Sequence, residues 1–311
     1  MSRFASLVLR SHAKLNLCLE VLGRRGDGYH DLATIFTAIS IWDTVRLEVE
    51  GHRPRGAPLE VHTEGWPVPG GSSNLCTRAA GALLEALLRA GDRHVPARVH
   101  IGLVKRLPPG GGLGGGSGNA AAVLVGLNAL LGEPLDRHDL LSLAASVGSD
   151  VPFFVSGAPA ALGTGRGERL EELPALRPLV LVVAWPGLPV PTRWAYGKLS
   201  GDDFSDGSAT ADLARAVEAK HELLSLPAFG CNAFFGPVTR ERPDIAALAA
   251  DLRRAGATVI SLAGSGACVW GALEDARRAL DTERKLRRQG LWACVAWPVE
   301  RPVEVVDQAG A

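Results

Sequence analysis

Between residues 108 and 117 the chain reads Pro108-Pro109-Gly110-Gly111-Gly112-Leu113-Gly114-Gly115-Gly116-Ser117. Six of the seven positions from Gly110 to Gly116 are glycine, a density that 37 glycines in 311 residues do not produce by chance. Glycine lacks a Cβ and tolerates positive φ, so successive backbone N–H groups can converge on an anion. The Ala-rich apolar run Asn119–Leu131 behind it predicts a helix. If that helix starts near Ser117, it adds orphan N–H donors and the positive end of its dipole, with Gly118 in the same turn. Arg98–Lys105 alternates as a strand ahead of the loop, and Lys105 is placed to contact a nucleotide. A flexible linker is a poor alternative between a clear strand and a strong apolar helix.

The residues C-terminal to the loop constrain its type. A Walker A loop ends in Gly-Lys-Ser/Thr, and that tripeptide does not occur here. Gly110, Gly112 and Gly115 match the dinucleotide fingerprint, but that motif continues into a strand with an acid at its end about 20 residues on. Here a second helix, Arg137–Val147, comes next, and the nearest acid is Glu133 in the Gly132–Asp136 loop.

Other residues with useful chemistry are less telling alone. Leu15, Leu17, Leu19 and Val21 alternate with Lys14, Asn16, Cys18 and Glu20, a strand period that projects Lys14 and Asn16 from one face. Taken alone, Lys14 reads as an exposed strand lysine and Asp150 as a turn aspartate after a helix. Tyr29-His30, after the turn Gly23–Gly28, reads as surface.

The elements that must position these groups fall into two halves. Strand-like runs recur at Thr44–Val49 and Leu59–His62; a Pro/Gly/Ser-rich break spans Pro67–Ser73, and Asn74–Leu88 predicts a helix. The texture changes near Gly157–Gly167, which predicts domains over 1–160 and 161–311. The second half reads strand (Leu179–Trp185), helices (Ala211–Leu224, Asp244–Arg254), strand (Thr258–Leu262), Gly264-Ser265-Gly266 turn, strand (Ala267–Leu273), helix (Asp275–Arg288) and strand (Trp292–Trp297). With its insertion, that order is close to βαββαβ. Gly201–Ser208 reads as a mobile loop.

Composition sets the class. Hydrophobic residues make up 47% and charged residues 21%, as in a globular protein, and 33 basic residues balance 33 acidic ones. No basic excess advertises a nucleic-acid or membrane surface. Five scattered cysteines without a CxxC pair suggest buried thiols in a reducing compartment, and the cytoplasm is the expectation. The partner expected is a small molecule, with a monomer or weak homodimer as the assembly.

The glycine loop resembles that of the GHMP kinases. Three further segments narrow the resemblance: Ala13-Lys14-Leu15-Asn16-Leu17 with Arg25-Gly26-Asp27-Gly28-Tyr29-His30; Gly148-Ser149-Asp150-Val151-Pro152-Phe153; and Gly264-Ser265-Gly266-Ala267-Cys268. Together they are similar to the members that phosphorylate a cytidine-diphosphate-linked sugar alcohol, and the Asp-Gly-Tyr-His segment is what selects them. The resemblance implies an α+β, two-domain GHMP kinase fold: an N-terminal domain like domain 2 of ribosomal protein S5 and a ferredoxin-like C-terminal domain.

The resemblance also implies roles. Asp150 would be the base that takes the acceptor hydroxyl's proton, and Lys14 would stabilise the charge. Asn16 would bind substrate, and Tyr29 and His30 would recognise the cytosine. In Pro191-Thr192-x-x-Ala195-Tyr196, Thr192 and Tyr196 would flank the base, with Trp194 as rival. Asn74 would lie on the adenine side, and Gly264 and Ser265 near the sugar alcohol or phosphates. ATP would be the phosphoryl donor with Mg2+, for which Ser117 is the candidate ligand. The sequence departs from the family at His12 (usually Pro), at Gly118 (usually Ser), and at Asn232-Ala233-Phe234-Phe235, where the family has Asn-Asp-Phe-Glu. Another GHMP kinase, acting on homoserine or mevalonate, and a nucleotide-binding protein without turnover are the alternatives.

Overall fold

The computed structural model describes residues 4–52, 58–91 and 95–309. The chain opens with two long strands, β1 (Phe4–Arg24) and β2 (His30–His52), paired antiparallel along nearly their whole length. Then come β3 (Leu59–Gly65), α1 (Leu75–Arg89), β4 (Pro96–Lys105), α2 (Gly115–Leu130), α3 (Arg137–Val147), α4 (Val151–Ser156), β5 (Ala160–Gly165) and β6 (Arg169–Leu173). The second part holds β7 (Val180–Trp185), α5 (Thr192–Tyr196), α6 (Ser208–Glu218), α7 (Phe235–Glu241), α8 (Pro243–Arg254), β8 (Val259–Leu262), β9 (Val269–Leu273), α9 (Ala276–Arg288), β10 (Trp292–Ala296) and β11 (Val303–Ala309).

Two sheets result. The first runs β11-β1-β2-β4-β3, with β5 joined to β2 and β6 to β5, so it draws strands from both sides of residue 160. The second runs β10-β7-β9-β8, all antiparallel. Its spatial order is fourth, first, third, second, which is the ferredoxin-like arrangement expected from the βαββαβ sequence.

Local chemistry explains the helices that matter to the site. Asn74 caps α1 by accepting from Cys76 N at 2.9 Å, and Cys76, Ala79, Ala80, Leu83, Leu84 and Leu87 repeat at helical spacing on the buried face. In α2 burial is nearly all round, because Ala120, Ala121 and Ala122 let it lie between α1, α4 and the first sheet. No helix among the described residues is long and apolar enough to cross a membrane.

Two expectations need correction. Lys14 is 4% exposed and Asn16 3%, because the polar face of β1 is covered by other parts of the chain rather than by water. The segment 201–208 is also structured: a 3-10 turn spans Gly201–Asp203, Ser205 N donates to Val21 O at 3.0 Å, and α6 begins at Ser208.

Candidate active site

The glycine loop is held by packing on three sides. Lys14 N donates to Leu113 O at 2.9 Å, and Cys268 N donates to Gly111 O at 3.0 Å. Gly112 has φ +81°, and a Cβ there would lie 1.8 Å from Ala263 O. The absence of a side chain therefore brings the loop against the 263–268 turn. Gly114 (φ +70°) precedes α2, and a Cβ on it would strike Lys14 Cγ and Phe154 Cζ, both at 2.8 Å. The helix begins at Gly115, two residues earlier than the sequence suggested, which places Gly115, Gly116, Ser117 and Gly118 in its first turn. Pro108 and Pro109 lead into the loop.

Beneath it lies a buried polar knot absent from the sequence-based expectations. Asp43, on β2, is 0% exposed. Its Oδ1 accepts from Arg106 N at 2.7 Å and Leu107 N at 3.0 Å, and its Oδ2 accepts from Asn119 Nδ2 at 3.2 Å and from Lys105 Nζ. Lys105 Nζ also donates to Asn119 Oδ1 at 2.7 Å. In this arrangement the Lys105 ammonium is engaged below the loop rather than free above it.

A cleft of about 680 Å3 opens in front of the loop. It is lined by Lys14, Asn16, Tyr29, His30, Gly112, Gly114, Asp150, Thr192, Tyr196, Gly264 and Ser265 among others, so the predicted catalytic and substrate residues meet there with two glycines of the loop. Asn74 instead lines a separate hollow with Trp66, Pro67 and Gly71. Trp194 is not part of the cleft wall; it packs on the core with Lys198 5.3 Å from its ring.

At the loop end of the cleft, Lys14 Nζ donates to Asn16 Oδ1 at 2.8 Å and stands 3.5 Å from Asp150 Oδ2. Asn16 Nδ2 donates to Thr34 Oγ1 at 2.7 Å, and Thr34 donates to Cys18 O at 2.6 Å, which locks the amide. Asp150 sits at the N-cap of α4 without capping it by its side chain, so the carboxylate faces the cleft uncommitted except to Lys14. A β-bulge between Asn16 and Cys18 shifts the alternation of β1 and brings Leu19 to the same wall as Lys14 and Asn16.

The other end is aromatic. His30 and Tyr196 stack with centroids 4.7 Å apart, Phe234 meets Tyr196 edge-on at 4.9 Å, and Phe204 approaches His30 at 6.0 Å. Tyr29 is 55% exposed, with the Arg166 guanidinium 5.1 Å from its ring. Burial, and to a lesser degree the charge of Asp150, pushes the Tyr196 hydroxyl up, so it stays protonated. Burial, then Arg24, pushes His30 below its ordinary value, which keeps the ring neutral near pH 7. Thr34, Phe36, Arg166 and Arg193 line the cleft without having been singled out in the sequence.

Asn232 explains how the altered Asn-Ala-Phe-Phe segment serves this site. Its Nδ2 donates to Gly264 O at 2.9 Å and Leu262 O at 3.2 Å, fixing the turn that carries Gly264 and Ser265. Ala233 and Phe235, where the acids are missing, pack on the core instead.

An anion-binding loop, a lysine–carboxylate pair beside it and an aromatic far end suit phosphoryl transfer to a hydroxyl on a ligand with a flat ring. Comparison with known proteins agrees. Residues 74–158 match the GHMP kinases N terminal domain. A 4-diphosphocytidyl-2-C-methyl-D-erythritol kinase from Syntrophotalea carbinolica is 36% identical over 91% of this chain and 95% of its own length. The chain belongs to that kinase family. A Thermus thermophilus member is 39% identical over 90% of this chain and 93% of its own. The crystal structure of a 4-(cytidine 5'-diphospho)-2C-methyl-D-erythritol kinase superposes with a TM-score of 0.75 at 36% identity, covering 96% of this chain and all of that one. A homoserine kinase from Cytophaga hutchinsonii shares the fold (TM-score 0.72, 17% identity, 97% of each chain).

A Cβ on Gly118 would lie 2.6 Å from Ser11 Oγ and 3.1 Å from Phe154 Cε1, so a side chain there requires the Ser11 hydroxyl to turn away. His12 N donates to Pro302 O at 2.9 Å, a bond that proline cannot make.

Proposed function

We propose that this chain transfers the γ-phosphoryl group of ATP to the 2-hydroxyl of 4-diphosphocytidyl-2-C-methyl-D-erythritol, a step in isoprenoid precursor synthesis. The observation that carries the proposal is the Lys14–Asp150 pair, 3.5 Å apart between the glycine loop and the aromatic end of one cleft.

Asp150 takes the acceptor's proton as the phosphoryl group arrives, and Lys14 offsets the charge that builds on the acceptor oxygen. Asn16, anchored through Thr34, holds Lys14 in register. The backbone donors of Gly110–Ser117 and the α2 dipole take the phosphates, with Asn74 toward the adenine. Tyr29, His30, Thr192 and Tyr196 hold the cytidine end, with neutral His30 bonding the base edge. Gly264 and Ser265 border the sugar alcohol. Ser117, in the first turn of α2, would hold a magnesium ion, which would supply charge neutralisation at the phosphates.

A coupled ADP-release assay with the cytidine-linked substrate, homoserine, mevalonate and no acceptor tests the assignment. Release with the cytidine compound alone is expected. Release no faster than the acceptor-free control sinks it, and turnover of homoserine or mevalonate instead moves the chain to another GHMP reaction.

A further inference from the structure

Cys18 and Cys231 are far apart in sequence but adjacent in space, outside the reaction cleft. A short parallel ladder joins β1 to the segment 230–233. Gly230 N donates to Leu17 O at 2.7 Å, Leu19 N to Cys231 O at 2.8 Å, and Ala233 N to Leu19 O at 2.9 Å, with Leu19 paired to Asn232. That register sets Cys18 opposite Cys231. Adjacent strands lie about 4.8 Å apart, within the roughly 4.4–6.8 Å between Cα atoms that a disulfide spans.

We propose that Cys18 and Cys231 are a redox-responsive pair that a peroxide converts to an intramolecular disulfide, tying β1 to the 230–234 segment. The two thiols are placed for unequal roles. Cys18 is 0% exposed and also touches Thr210 Oγ1 at 3.3 Å, whereas Cys231 is partly open to solvent. The hydrogen bond from Cys18 lowers the Cys231 thiol below its ordinary value and raises that of Cys18, outweighing the opposing effects of burial and the nearby Glu20 carboxylate on Cys231. Cys294, the other partly exposed thiol, is pushed up to about 11 by burial and is the slower nucleophile.

The chemistry balances with hydrogen peroxide as oxidant. The Cys231 thiolate attacks one peroxide oxygen, the O–O bond breaks, and hydroxide leaves and is protonated to water, giving a sulfenic acid. The Cys18 thiol gives up its proton as its sulfur attacks that of Cys231, and the sulfenic oxygen departs as a second water. Two thiols lose two electrons and the peroxide gains them. The bridge forms beside Asn232, which holds Gly264, and Phe234, which lines the cleft. It is independent of which substrate the cleft takes.

The test uses the full chain, reduced, exposed to hydrogen peroxide, alkylated and mapped by mass spectrometry without reductant. A peptide pair joined through Cys18 and Cys231, released by dithiothreitol, is expected, with Tm raised by roughly 4–12 °C in the bridged form. Cys18→Ala should leave Cys231 to over-oxidise to sulfinic acid, and Cys231→Ser should leave Cys18 unmodified. Over-oxidised Cys231 without a bridge in the unaltered chain, or Cys294 reacting first, overturns the proposal.

Discussion

Asn119 Nδ2 donates to Asp43 Oδ2 at 3.2 Å, and through that contact the helix after the glycine loop is tied to the carboxylate that also holds the strand before it. The loop's two ends share one buried anchor, whose charge is met by Lys105. Asp43→Ala strands the ammonium of Lys105, itself 7% exposed, without its partner. Loss of one member of such a pair costs about 3–5 kcal/mol. Urea unfolding of Asp43→Ala should show a midpoint reduced accordingly; an unchanged midpoint means that the anchor contributes nothing to stability.

Asp150 invites a narrower test, because its carboxylate contacts Lys14 and caps nothing. Asp150→Asn should fold and bind ATP as before but lose ~3–6 kcal/mol of transition-state stabilisation, seen almost wholly in kcat. Equal losses in ATP affinity by calorimetry argue for a binding role instead.

Acid should weaken substrate capture through His30. Its pKa in the folded chain lies below the ordinary 6.5, chiefly through burial and then through Arg24. The folded state therefore disfavours the charged ring. The related stability is full above 6.5 and is lost as pH falls through the folded value. The KM for the cytidine substrate should rise over the same acid range, and His30→Gln should abolish that rise while leaving the alkaline side unchanged. A wild-type acid limb that survives in His30→Gln assigns it to another group.

Two loop glycines should respond differently to alanine. At Gly112 (φ +81°) a Cβ meets Ala263 O at 1.8 Å, and both groups are backbone. At Gly116, inside α2, the nearest atom is Leu75 Cδ1 at 3.5 Å. Gly112→Ala should lower Tm by many degrees or prevent folding, whereas Gly116→Ala should hold or slightly raise it, as Gly→Ala in a helix does by roughly 0.5–1 kcal/mol. Calorimetric scans of the two variants decide the point.

What the sequence disclosed was what local chemistry determines. The glycine run, the Ala-rich helix behind it and the βαββαβ order are written in short windows, and each stands in the structure within a few residues of its expected place. Alternation in β1 identified the face of Lys14 and Asn16 but not what covers it, so the lysine read as exposed when it is buried. Asp43 gave no signal, because an aspartate inside a strand acquires its meaning from Lys105, Arg106, Leu107 and Asn119, all more than sixty positions on. Tyr196 stood ahead of its rival Trp194 only through the resemblance, and the turn of α5 brings Tyr196, not Trp194, to the cleft wall.

The strand β11 lies at the edge of the first sheet, antiparallel to β1, and Val303 pairs with Ser11 only three positions from Lys14. A ribosome delivers β1 well before β11, so the edge of β1 stands bare while the residues between them emerge. Such an edge attracts other strands. The strand that carries Lys14 thus waits long for this neighbour, and the nascent chain is open to misassembly beside the candidate site.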